Sequence, residues 1–377
     1  MNYFLIAGEA SGDLHGAALM RALKVSDPEA GFRFFGGDQM QAEGGILLRH
    51  YREMAFMGFF EVVANVSKIS RNLRDCKGYI SSEKPDVVVL IDYPGFNFKI
   101  AEYAHALGIR VFWYIAPKLW AWKAWRIQKL KAFTHQVYSI LPFEKDFFSQ
   151  HGLNVEYIGN PLVDAVRTES TVSQESEINL VSPDSGNHLV ALLPGSRVQE
   201  IRLILPEMLV TVKDMKGIQV VISGAPSVPE SEYRNFTSEI PIVFGNTYAL
   251  LAQSRAAMVA SGTATLEAAL LKVPQLVVYR MKSSRILTQL FRYFFLKVSY
   301  VSLPNLILNR EAVREFIMHE MTAGRMRPEL ERLLHDAEHR ESMLLAYQEI
   351  EERMGEGGAA VRAAEHMVNL LKITPRG

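Results

Sequence analysis

The stretch Ala256–Tyr279, AAMVASGTATLEAALLKVPQLVVY, limits the fold more than any other part of the chain. An apolar run (Met258, Val259, Ala260) enters the small-residue loop Ser261-Gly262-Thr263. A helical segment follows over Ala264–Lys272, and Pro274 precedes a second apolar run, Leu276–Tyr279. A strand feeding such a loop and then a helix N-terminus makes an anion seat. The first amides of a helix have no intrahelical partners, and the macrodipole adds about half a positive charge there.

Glu267 falls in the first turn, four residues after Thr263, so the pair does not complete a capping box. Two readings stand for it. It is either an acid that suits the helix dipole, or a carboxylate accepting two ribose hydroxyls while the phosphates lie on the amides of Gly262, Thr263, Ala264 and Thr265.

The same alternation runs through the whole chain. Apolar runs at Tyr3–Ala7, Phe32–Phe35, Asp86–Ile91, Arg110–Ile115, Val137–Leu141 and Val155–Ile158 alternate with helical patterns in the first half. Runs at Leu189–Leu193, Ile218–Ser223 and Pro241–Phe244 continue it in the second. The expected class is α/β with two parallel sheets. A length of 377 residues favours two domains, and the polar stretch Glu169–Asn187 reads as their connection. The expected divisions are an N-terminal domain over 1–165, a connection over 166–187, a second α/β domain over 188–345 and a helical tail over 346–377.

Forty-one basic residues balance forty-one acidic ones, which argues against a nucleic-acid binder. Cys76 is the single cysteine, so no internal disulfide framework exists and a reducing compartment suits the chain. No apolar run approaches the roughly 20 residues of a membrane span, and the start lacks a basic leader. The expectation is a cytosolic protein that is free to lie on a membrane.

Several loops at strand ends carry candidate chemistry. Gly8, Gly12 and Gly16 are spaced G-x-x-x-G-x-x-x-G, unlike the dinucleotide fingerprint, so a nicotinamide cofactor is disfavoured. Glu9 and Asp13 read either as a helix cap and a solvated acid, or as acids facing the crevice where open α/β sheets place ligands. Asp92, at the tip of a β-branched run, reads as a general base or as a turn cap. Arg197 follows Gly195-Ser196 at another strand tip, where its planar fork matches phosphate.

Three segments combine aromatic or apolar residues in unusual density. Met54–Val63 reads as buried core or as a lipid-facing lid. Trp120, Trp122 and Trp125 lie among Lys123, Arg126, Lys129 and Lys131, as in a packed helix or an interfacial one. Leu287, Leu290, Phe291, Phe294 and Phe295 form a helical stripe ringed by Arg280, Lys282, Arg285, Arg292 and Lys297. That stripe suits core packing, a homodimer seam or shallow membrane insertion.

Walker A, Asp-x-Asp, HExxH and G-x-S-x-G patterns are all absent from the sequence. A diphosphate leaving group would then rest on helix N-termini, hydroxyls and arginine, and neither metal nor cofactor is expected.

A series of short motifs resembles the bacterial lipid-A-disaccharide synthase family, glycosyltransferases of the two-domain GT-B architecture. The matches are Ala7–Asp13 (AGEASGD), Met57–Val62 (MGFFEV), Ile91–Asn97 (IDYPGFN), Trp120-Ala121-Trp122 and Leu141–Glu144 (LPFE). They continue with Leu193–Arg197 (LPGSR), Ser261–Glu267 (SGTATLE) and Ser302–Asn305 (SLPN), in the family's order across nearly the whole chain.

The resemblance implies two Rossmann-like domains facing a cleft, with C-terminal helices crossing back to the first. It implies transfer of 2,3-diacylglucosamine from UDP to the 6-hydroxyl of 2,3-diacylglucosamine 1-phosphate (lipid X), with inversion, at the inner face of the cytoplasmic membrane. By the same resemblance Asp92 matches an essential carboxylate and Arg197 an essential arginine. The expected substrate-binding set is Glu9, Ser11, Gly12 and Asp13 in the first domain. In the second it is Gly195, Ser196, Ser261, Gly262, Thr263, Ala264, Thr265, Glu267 and Asn305.

Two positions depart from the pattern: Asn160 stands where many members carry His, and Gly95 where some carry a second acid. Two rival activities share the double α/β scaffold. One is a UDP-sugar epimerase, which needs no lipid-facing surface; the other is a non-catalytic, membrane-associated nucleotide-binding module.

Overall fold

The computed structural model describes residues 1–54, 66–120, 124–173, 187–281 and 300–373. The lid candidate beyond Met54, the residues Ala121–Lys123, most of the polar connection and the stripe from Leu287 to Phe295 lie outside them. The chain forms two compact units. The first comprises Met1–Pro161 and Glu356–Gly377, the second Leu162–Gly355. The divisions therefore fall at 161 and 355 and not at 165 and 345. The helix Pro161–Ser173 runs through the first expected boundary, and the helix Ala337–Met354 carries the chain past the last one.

The first unit is built on seven strands: β1 (Asn2–Ala7), β2 (Gly31–Gly36), β3 (Ile46–His50), β4 (Val87–Ile91), β5 (Arg110–Tyr114), β6 (Gln136–Ser139) and β7 (Glu156–Tyr157). They pair in parallel in the order β3-β2-β1-β4-β5-β6-β7. β1 and β4 are buried along nearly their whole length, which explains their unbroken apolar sequences. One face of the sheet packs Leu5, Val89 and Tyr114 with Leu19, Leu23, Ala364 and Met367 of the helices Ala10–Ser26 and Ala359–Ile373. The other packs Phe4, Ile6, Val88 and Trp113 with Cys76, Ile80, Ile100 and Phe148. Burying one such large side chain is worth about 1.5–3 kcal/mol, so both faces need their helices.

The second unit has six strands: β8 (His188–Leu193), β9 (Ile218–Gly224), β10 (Ile242–Phe244), β11 (Ala256–Ala260), β12 (Gln275–Tyr279) and β13 (Glu315–Ile317). Their parallel order is β10-β9-β8-β11-β12-β13. Leu189, Ala191, Val259, Leu250 and Ala268 form part of its core.

Each sheet has one point where the chain reverses its direction of travel across the strands. In the first it lies between β1 and β4, where Ala7 pairs with Ile91. In the second it lies between β8 and β11, where Leu193 pairs with Val259. Crevices outside such switch points are where open α/β sheets bind ligands.

Candidate active site

The loops at the two switch points carry the residues singled out from the sequence. In the first unit these are Gly8-Glu9 after β1 and Asp92-Tyr93 after β4. Asp92 and Tyr93 both adopt left-handed backbone conformations, with φ of 42° and 47°. Each such non-glycine residue costs roughly 1–2 kcal/mol, so the turn needs support from its surroundings.

The support is specific. The Asp92 amide donates to Tyr114 O at 3.1 Å. Asn97 Nδ2 donates to Asp92 O at 2.8 Å, and the Tyr93 hydroxyl donates to Met54 O at 2.8 Å. Pro94 then starts the helix Pro94–Ala106, which takes the chain away from the turn.

The Asp92 carboxyl is thereby held partly buried at the sheet's C-terminal edge. Burial pushes its pKa up to about 6, and the charge of Glu9 pushes the same way. The Lys118 ammonium and the Tyr93 amide pull it down. Lys118 is exposed on the loop after β5, a neighbour of Asp92 that the sequence did not single out. The same loop carries Trp120, whose Nε1 donates to Glu144 Oε1 at 3.0 Å and whose ring meets Phe143 edge-on. Glu144 is fully buried, and burial pushes its carboxyl up to about 7 despite amides of Ile140 and Leu141 donating to it.

The first loop is short, because the helix begins at Ala10 with Glu9 as its N-cap residue. Ser11, Gly12 and Asp13 therefore lie in the first helical turn. The Ser11 hydroxyl donates to Glu9 Oε1 at 2.8 Å, and Gly12 packs on Ala7.

Asp13 is a correction to the expected set. It is buried, and its two oxygens accept the amides of Gly37 (2.7 Å), Gln39 (3.0 Å) and Met40 (3.1 Å). It is neither solvated nor turned to a crevice. It caps the short helix Asp38–Ala42 from a distance in sequence, and its acceptors are spent on backbone.

In the second unit, Gly195 after β8 has φ +113°, a value that favours glycine, and a Cβ there would meet Glu200 Oε2 at 2.6 Å. Glu200 Oε2 accepts the Ser196 amide at 3.1 Å, and its Oε1 pairs with Arg197 Nη1 at 3.2 Å. Arg197 is exposed and is the N-cap residue of the helix Val198–Val212. Tyr279, at the end of β12, is close enough to feel both charges: burial raises its pKa first, then Glu200, while Arg197 lowers it. Glu200 and Tyr279 were not singled out from the sequence; the spacing of Glu200 from Arg197, i to i+3, was the available signal.

Beside this loop, the Ser261 amide donates to Val278 O at 2.9 Å and its hydroxyl to Val301 O at 2.8 Å. Gly262 and Thr263 are exposed, and Ala264 opens the helix Ala264–Leu270. Glu267 is half-buried in its first turn and accepts the Tyr248 hydroxyl at 3.2 Å.

Two further expected binders are corrected in the same way as Asp13. Thr265 is buried, with its hydroxyl donating to Gly262 O at 2.8 Å and accepting the Leu303 amide at 3.3 Å; its own amide is turned to Gly262 O. Asn305 is also buried. Its Oδ1 accepts the amides of Ala312 and Val313, and its Nδ2 donates to Val313 O and Glu315 Oε1, all at 2.7–2.9 Å. Glu315 in turn accepts the amides of Val301 and Ser302 and the Ser302 hydroxyl. Thr265 and Asn305 thus fasten the Ser302 turn beside the Ser261 loop and have no side-chain donor left for a ligand.

A family model described as lipid-A-disaccharide synthetase matches residues 3–367. The lipid-A-disaccharide synthase of Myxococcus xanthus is 38% identical over 375 residues, covering 97% of each chain. That of Trichlorobacter lovleyi is 32% identical, covering 98% of this chain and 97% of its own. Among solved structures, the UDP-GlcNAc 2-epimerase from Neisseria meningitidis bound to UDP-GlcNAc superposes with a TM-score of 0.66 at 14% identity, over 99% of this chain and 100% of its own. The glycotransferase of kitacinnamycin gives 0.64 at 11% identity, over 98% and 99%. These structural likenesses carry the fold, two Rossmann-like units, and not the reaction. The full-length sequence matches carry the reaction: the chain belongs to the lipid-A-disaccharide synthase family of glycosyltransferases.

Proposed function

We propose that the protein moves 2,3-diacylglucosamine from UDP to the 6-hydroxyl of lipid X, with Asp92 as the general base. The observation that supports this role is the strained, braced turn that holds a carboxyl at the switch point with its pKa pushed up to about 6. Such a group is ionised at neutral pH, yet it accepts a proton more readily than an ordinary aspartate. Asp92 takes the acceptor's hydroxyl proton as that oxygen bonds to the donor's anomeric carbon. The bond from that carbon to the diphosphate breaks, and its electron pair leaves with UDP.

Arg197 and the first amides after Ser261 meet the charge that develops on the leaving diphosphate. Glu267, steadied by Tyr248, receives the ribose hydroxyls. Glu9, with Ser11 on its carboxylate, raises the basicity of Asp92.

Acylated substrates call for work at a membrane surface. Among the described residues no helix is long and apolar enough to cross a membrane. Peripheral contact is supported by Trp125, an exposed indole with the Arg126 guanidinium 5.4 Å from its ring centre.

The test is substitution of each half. Asp92→Asn should bind UDP as the wild type does and lose at least about a hundredfold in turnover. Arg197→Ala should weaken UDP binding by about tenfold or more. Equal loss of UDP binding and turnover in Asp92→Asn would make that residue structural, and unchanged affinity in Arg197→Ala would remove it from the diphosphate.

A further inference from the structure

A second concentration of positive charge lies at the opposite edge of the second unit's sheet. At the N-terminal ends of β8 and β11, a hollow of about 460 Å³ is lined by residues including His188, Ser254, Arg255 and Arg340. The His335 ring lies 5.8 Å from that of His188. β8 has six residues, so at about 3.3 Å per residue this hollow is roughly 20 Å along the strand from the Arg197 loop.

Helix capping explains part of the gathering. The helix Ala323–His335 ends here, leaving terminal carbonyls that need donors. Arg255 Nε donates to Leu334 O at 3.4 Å, while Arg340 Nη1 donates to Leu333 O and, at 2.7 Å, to Arg255 O. That engages one nitrogen of each guanidinium and leaves the rest of each fork. Among the described residues neither arginine has a carboxylate at ion-pair distance.

Most other described arginines of this unit sit on acids, among them Arg202 on Glu232, Arg310 and Arg353 on Glu349, and Arg325 on Glu320, while Arg327 is spent on the carbonyls of Thr211 and Lys213. The uncompensated charge is felt locally. After burial, the charges of Arg255, His335 and Arg340 hold His188 below the ordinary imidazole range. Burial and then Arg255 lower Arg340. The adjoining loop, whose Gly217 carbonyl accepts the His188 amide at 2.8 Å, adds exposed Lys213 and Lys216 against one exposed acid, Asp214.

We propose that this hollow binds a phosphate-bearing anion, gripped by Arg255 and Arg340 with the imidazoles of His188 and His335 at its rim. A guanidinium fork donates in pairs to phosphate oxygens, and an anion relieves the repulsion between the two guanidiniums. The volume exceeds that of bare phosphate and admits a phosphorylated small molecule or a lipid headgroup. The site is separate from the one assigned to the donor's diphosphate.

The test follows the ring resonances of His188 and His335 by NMR as inorganic phosphate is added, with potassium chloride as the ionic-strength control. The wild type should show a saturable shift with phosphate alone. In Arg255→Gln/Arg340→Gln, which keeps donors for the helix carbonyls, the same shift should need about tenfold more phosphate or more. UDP affinity and the thermal midpoint should be retained in that variant. Sedimentation with vesicles of phosphatidylcholine, with or without phosphatidylglycerol, identifies the source. Loss of partitioning to the anionic vesicles in the variant assigns a headgroup; unchanged partitioning assigns a soluble phosphate. Ring shifts that chloride reproduces, or that persist in the variant, overturn the proposal.

Discussion

The ring of Tyr93 occupies the space where a side chain on Gly8 would sit: a Cβ built there would lie 2.3 Å from ring carbons. The two residues come from neighbouring strand ends, after β1 and after β4. Their contact ties the first loop of the protein to the turn that presents Asp92.

Gly8→Ala should therefore push Tyr93 aside and loosen the turn. Overpacking of this kind costs about 1–3 kcal/mol, to be read by urea unfolding. Turnover should fall at least about tenfold through loss of geometry at Asp92, while donor affinity stays within a factor of about three. In the double variant Gly8→Ala/Tyr93→Ala the total stability loss should be smaller than the sum of the two single-variant losses, because the clash is gone.

Asp92→Asn should make the protein more stable at pH 8. The native state holds this carboxyl at about 6, above the value near 4 of an unfolded aspartate, so ionisation costs native stability. Removing the charge should return about 1–2 kcal/mol, after allowance for solvent screening at a partly exposed group. The gain should shrink as pH falls through 6 and vanish below about 4, where both states of the wild type are protonated. Thermal melts of the two proteins across that range give the difference directly.

Asn305→Ala should act on the fold before it acts on the nucleotide. The substitution leaves the part-buried Ala312 amide and the buried Val313 amide without their acceptor and removes one of several donors from Glu315 Oε1. A cost of about 2–4 kcal/mol follows for that set of unsatisfied groups. Chemical denaturation should show it, and UDP affinity measured on the folded fraction should change by less than about threefold. A large loss of affinity at unchanged stability would restore Asn305 to the binding set.

The residues that were legible from the sequence are those whose role is set by near neighbours. Val87–Ile91 and Ala256–Ala260 read as strands because a buried parallel strand is apolar on both faces, and the placement of Asp92, Arg197 and Ser261 in the loops at strand tips follows from those strands. Asp13, Thr265 and Asn305 were misplaced for one shared reason. Each is a polar residue in or beside a Gly/Ser-rich turn, which looks like a ligand contact in one dimension. Apart from Gly262, three residues before Thr265, their partners in Gly37–Met40, Leu303 and Ala312–Glu315 are 7 to 38 residues away and are mostly backbone groups. Backbone donors carry no side-chain signature. The edge strands β3 and β13 were missed as well, since five and three residues give too little periodicity to see. Lys118 and Tyr279 reach their sites through tertiary proximity alone, whereas Glu200 is a neighbour of Arg197 in sequence.

The central claim is that Asp92 is the proton acceptor and that Glu9 keeps its pKa high. The most direct measurement is the pH dependence of kcat/KM for the wild type and for Glu9→Gln. The wild type should lose activity on the acid side with an apparent pKa near 6, as protonation of Asp92 removes the base. In Glu9→Gln that limb should move to lower pH, because one of the two influences raising it is gone. A limb that stays in place in Glu9→Gln, or one in the ordinary aspartate range in the wild type, would contradict the account.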